Sequence, residues 1–68
     1  MSPALLELTA REREMLELYI QLGRQQLVAD AMGVSLQTVK NMSSTINRLL
    51  EVNSIAQACV LYDRSVRP

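Results

Sequence analysis

Between Ser35 and Arg48 the sequence strings together side chains that can donate hydrogen bonds to an anion or a base: Ser35, Thr38, Lys40, Asn41, Ser44 and Arg48. Lys40 can donate to guanine O6 and N7 or to a phosphate. Asn41 carries the donor and acceptor that match adenine N6 and N7, and Ser44 can address either purine more weakly. Ser35 is a good N-cap. With Thr38 it would set hydroxyls beside the free N–H groups of a helix N-terminus, where a phosphate binds readily. If Val39, Met42 and Ile46 face a core, then Lys40, Asn41, Ser44 and, one turn on, Arg48 share much of the opposite side. The same charges also suit a plain solvated helix, so the residues alone leave both uses open.

Other chemistries have little to work with. There is no His, and Cys59 is the single cysteine. A zinc or iron site and an internal disulfide therefore lack their ligands or partners, and no cofactor is expected. The Ser43–Ser44 pair has no base within sequence reach, and Cys59 lies on an apolar stripe without a His, so an enzyme is not expected. Met15, Met32 and Met42 recur at core positions and read as core fillers. The 7 basic and 7 acidic residues cancel, which is unusual for a nucleic-acid binder. Residues 1–34 sum to −2 and residues 35–68 to +2, so any anion-binding face belongs to the second half. No apolar stretch is long enough to span a bilayer. The opening residues do not read as a signal peptide, and a lone thiol fits a reducing cytoplasm.

The elements that must position these groups are helices. Thr9 with Glu12 forms a capping box, so a first helix begins at Ala10, and Gly23 ends it. Met15, Leu18, Tyr19 and Leu22 supply its apolar face at i, i+3, i+4, i+7. A second, short helix runs over about 25–32, with Leu27, Val28, Ala31 and Met32 apolar, and stops at Gly33. Ser35 caps a third that extends through Leu50, with Val39, Met42, Ile46, Leu49 and Leu50 turned inward. Ser54 with Gln57 forms a second capping box and opens a fourth. Residues 24–50 thus have the layout of a helix-turn-helix, although helical hairpins with a glycine turn are common. The chain reads as one all-α domain over 1–68. At 68 residues its core is barely sufficient alone, and oligomerisation is the support most open to it.

Three segments read together are more specific. "LTAREREMLEL" at 8–18, "GVSLQTVKN" at 33–41 and "LLEVNSIAQA" at 49–58 resemble the LuxR-type helix-turn-helix domain in order and spacing, over roughly residues 8–62. The C-terminal domain of sigma factors shares the opening motif, but the "TVKN" turn and "EVNSIAQA" tail favour the LuxR type. The resemblance implies a four-helix domain that binds double-stranded DNA and regulates transcription, either as a short single-domain member or as a fragment of a longer regulator. It further implies phosphate contacts from Ser35 and Thr38 and base contacts from Lys40, Asn41 and Ser44; helical geometry adds Arg48 to the same face.

The departures from that family are informative. Arg24, Gln25 and Gln26 stand where a Ser or Thr cap and an early Lys are usual, and Leu27 where a solvent-facing Glu is common. Gln37, Ser43, Thr45 and Leu49 replace the basic residues of the third helix, while Asn53 and Ile55 replace Arg near the fourth. Each lost phosphate contact weakens binding and lowers its salt dependence, so one copy should grip DNA weakly. The fourth helix offers a remedy. Ile55, Cys59, Tyr62 and Val66 form one apolar stripe, and Ala56, Val60 and Leu61 a second line. Either the two merge into one wide core face, or one is free for a partner. In LuxR-type domains the last helix pairs copies, so Ile55, Cys59, Tyr62 and Val66 are the expected homodimer interface, on a dimerisation helix of about 54–65. A rival expectation is an interaction module on the same fold that pairs with another transcriptional regulator and tunes it.

Overall fold

The computed structural model describes residues 6–66. Among these residues the helices follow in the order α1 Ala10–Leu22, α2 Gln25–Met32, α3 Leu36–Leu50 and α4 Ile55–Val66. No strand occurs among the described residues.

Local chemistry explains the boundaries. Thr9 Oγ1 accepts from the Glu12 N–H at 3.1 Å, and the Thr9 N–H donates to Glu12 Oε1 at 2.8 Å. Two of the donors that a helix start leaves free are thereby satisfied. Gly23 takes φ 79° and donates its N–H to the Tyr19 carbonyl at 2.8 Å, a left-handed turn that glycine enters without a Cβ penalty. The turn between α2 and α3 is built the same way. Gly33 at φ 70° lets its own N–H reach Asp30 and that of Val34 reach Ala29. Ser35 Oγ then accepts from the Thr38 N–H at 3.1 Å and starts α3.

Two ends depart from this economy. Arg24, the N-cap of α2, makes no side-chain cap bond, so the family-unlike sequence at 24–26 leaves that end bare. Glu51 closes α3 at φ 56°, in the left-handed region, a conformation that disfavours any side chain with a Cβ. The box at α4 also closes differently from the expectation. Ser54 Oγ accepts from the Gln57 N–H at 3.3 Å, but Gln57 Oε1 accepts from the Asn53 N–H, at 2.8 Å, one residue upstream.

All four helices feed one core. α1 packs on α2, α3 and α4, α2 packs on α3, and α3 packs on α4. Met15 and Leu16 of α1, Val28 and Ala29 of α2, and Val39 and Ile46 of α3 are fully enclosed. Leu8, Met32, Leu50 and four α4 residues complete the cluster. Met15 and Met32 are buried and Met42 packs on the cluster, as core fillers should.

The apolar faces read from periodicity need two corrections. On α1 the centre is Met15–Leu16, with Leu18 and Tyr19 half-buried and Leu22 39% exposed. The helix touches neighbours on more than one side, so its buried arc is wider than one stripe, and Leu22 lies at its end. On α2, Ala29 is enclosed while Leu27 is 43% exposed and Ala31 is also exposed. A small side chain at 29 lets the helices approach closely, which periodicity does not register. Ser43 is buried at 5% exposure, and its hydroxyl donates to Met15 Sδ at 3.9 Å. It is a small core residue between α1 and α3.

Candidate nucleic-acid interface

The inward side of α3 holds Val39, Ser43, Ile46 and Leu50, all buried. The turn of the helix then fixes what faces out. Thr38, Lys40, Asn41, Ser44 and Arg48 are exposed, as is the cap Ser35. The structure therefore brings all six candidate residues onto one continuous surface that begins at the α2–α3 turn and runs along α3. Gln37 and Thr45 lie on it as well. Both stand where basic residues are usual in the family and sit within one turn of Asn41.

The polar groups on this surface fall into two sets. At the N-terminal end, Ser35 Oγ is engaged by the Thr38 N–H and lies 3.0 Å from Thr38 Oγ1, so the two hydroxyls form a small linked pair beside the first-turn amides. Further along, Gln37 Nε2 donates to Asn41 Oδ1 at 3.0 Å, and Thr45 Oγ1 donates to the Asn41 backbone carbonyl at 3.1 Å. Lys40, Ser44 and Arg48 make no side-chain hydrogen bond or ion pair to the described residues.

Charge is concentrated here by subtraction. Arg11 is held by Glu14 at 3.0 Å and donates to the Met32 carbonyl at 3.2 Å, tying α1 to the end of α2. Arg13 donates to the Leu8 carbonyl. Both serve the fold. α3 contains no acidic residue within Leu36–Leu50, so Lys40 and Arg48 carry the charge of this face, with Glu51 at the C-cap beyond it.

α4 corrects the expected interface. Ile55, Cys59 and Tyr62 are buried in the chain's own core together with Ala58, at 9% exposure or less. They lie on the side of α4 that packs on α1 and α3. Of the expected set only Val66 is open, at 41%. The outward line is instead Ala56, Val60 and Leu61, with Val60 53% and Leu61 38% exposed. An open groove of about 480 Å³ borders it, lined by Glu51, Val52, Asn53, Gln57, Val60 and Leu61.

The Cys59 thiol is pushed up from 9.0 to about 11, first by burial and second by the Asp63 carboxylate. It stays protonated near neutral pH and is a poor nucleophile. Among the described residues no group of His, Cys, Asp and Glu is placed to hold a metal ion. No described helix is long and apolar enough to cross a membrane.

No curated protein and no solved structure gives a significant match to the chain. The sequence pattern of the bacterial regulatory proteins of the luxR family does match, over residues 6–62, a span that holds the α2–α3 turn, the polar face of α3 and most of α4. The chain belongs to that luxR family of DNA-binding bacterial regulators.

Proposed function

We propose that this chain regulates transcription by binding duplex DNA as a dimer, with α3 of each copy in the major groove of one half-site. One observation carries the reading: the outward side of α3 gathers Lys40, Asn41, Ser44 and Arg48 on a helix without an acidic residue. Ser35 and Thr38, at the helix start, meet a phosphate, where amides and hydroxyls donate together. Lys40 addresses a guanine edge or the adjacent phosphate, Asn41 and Ser44 address bases, and Arg48 follows the backbone further along.

Dimerisation uses the outward line of α4. Val60 and Leu61 are exposed apolar side chains on that line, and covering them removes that surface from water. Pairing also supplies what a single copy lacks. Two free cations on α3 give few phosphate contacts, and binding free energy grows with their number. Two copies would address half-sites about 34 Å apart, as an inverted repeat.

Titration of duplex DNA at low salt, followed by fluorescence anisotropy, tests the reading. The wild type should bind in a salt-sensitive way. Lys40→Ala should weaken binding roughly tenfold while leaving the helical circular dichroism unchanged. A wild type that binds no duplex would overturn the proposal. If that same protein still paired through α4, it would instead be an interaction module acting on another regulator.

A further inference from the structure

Gln37 stands one turn before Asn41 on the exposed side of α3, and its Nε2 donates to Asn41 Oδ1 at 3.0 Å. Amide pairs at i, i+4 on a solvated face add little to helix stability, so this link matters chiefly for what the two amides present outward. The Asn41 backbone carbonyl accepts from Thr45 Oγ1 at 3.1 Å, a bond that does not reach the side-chain amide. From this arrangement we infer that Gln37 and Asn41 read one adenine as a unit, with Gln37 a specificity-determining residue that sets the Asn41 amide. The inference rests on α3 lying in the major groove.

The chemistry follows from what the link leaves over. One N–H and one lone pair are used between the amides. The Gln37 carbonyl Oε1 and the Asn41 Nδ2 hydrogens have no partner among the described residues. Adenine offers an N6 donor beside an N7 acceptor in the major groove. Gln37 Oε1 would accept from N6, and Asn41 Nδ2 would donate to N7. Turning both amides over exchanges these roles and leaves the same complement of one acceptor and one donor. Guanine, with acceptors at both N7 and O6, would set O6 against a carbonyl oxygen. Without Gln37, the Asn41 amide could turn to offer both hydrogens to guanine. The pair therefore selects adenine over guanine, next to a Lys40 whose hydrogens suit guanine or phosphate.

The test is selection of bound sequences from random duplex DNA at low salt, with competition titrations of the selected sites. It uses the wild type, Gln37→Met, Asn41→Ala and the double variant. Gln37→Met keeps the length and helix propensity of the side chain but cannot link to Asn41. The wild-type consensus should contain an A·T pair whose preference over G·C falls roughly tenfold in Gln37→Met. Non-specific affinity and salt slope should stay unchanged, and the double variant should be no less selective than Asn41→Ala. The inference is overturned alone if the wild type binds selectively and Gln37→Met leaves every base preference in place. It is likewise overturned alone if that variant weakens all sequences equally, since that marks a phosphate contact. A wild type that binds no duplex overturns the inference together with the α3 reading on which it rests.

Discussion

α3 and α4 do the same work for the core and opposite work outside it. Each turns one side inward: Val39, Ile46 and Leu50 from α3, and Ile55, Ala58, Cys59 and Tyr62 from α4. Outside, α3 shows amides, hydroxyls and two free cations, whereas α4 shows Val60, Leu61 and Val66. The first surface hydrogen-bonds readily to water or to an anion, whereas the second gains by being removed from water. The contrast shows how a 68-residue chain with no net charge can still carry one polar, cationic face and one apolar face.

The contrast can be broken most severely from inside. Ile46→Ala removes a fully enclosed side chain and should cost about 3 kcal/mol, a large share of the stability of so small a domain. Thermal denaturation should show a fall in Tm of ten degrees or more. A shift of only a degree or two would mean that α3 is not anchored by this face.

The two sides of α4 can then be set against each other. Ile55→Asp puts a charge into the core and should unfold the chain, whereas Leu61→Asp should leave the fold intact and abolish self-association. Sedimentation together with circular dichroism separates these outcomes. If Leu61→Asp sedimented like the wild type, the outward line of α4 would not be the pairing surface. On the proposed dimer, Leu61→Asp should also lower affinity for an inverted repeat by about a hundredfold, through loss of the linked second copy.

A smaller effect lies where the two helices join. Glu51 holds φ 56° at the negative end of α3, so Glu51→Gly relieves both the strain and the unfavourable charge. Stability should rise by about 0.5–1 kcal/mol, read as a higher urea midpoint. An unchanged or lower midpoint would show that the left-handed turn is not limiting.

The smallest effect is alkaline. Because the folded thiol of Cys59 is raised from 9.0 to about 11, the folded state keeps a proton that the unfolded state has lost in that interval. Its contribution is complete below about pH 9 and disappears as pH rises towards 11. The decline in stability across this window should be shallower in Cys59→Ala than in the wild type. Equal declines would assign it to other groups.

Much of this was legible in the residues. Both ends of α1, the end of α2 and the start of α3 follow from contacts between near neighbours: Thr9 with Glu12, Gly23 with Tyr19, Gly33 with Asp30, and Ser35 with Thr38. The polar side of α3 was legible too, because Val39 and Ile46 left it only one direction to face. Gln37 reads from the sequence only as a lost basic residue, since its bond to Asn41 depends on the rotamers of both side chains.

The sequence by itself determined four helices, a glycine turn between α2 and α3, and which side of α3 meets solvent, because capping and helical periodicity act over three or four residues. Only the tertiary structure decided which of the two apolar lines of α4 is core. Both have helical spacing, and the choice depends on where α1 and α3 lie. The same packing enclosed Leu16 instead of Leu22, buried Ser43 against Met15, and left Val60 and Leu61 outside.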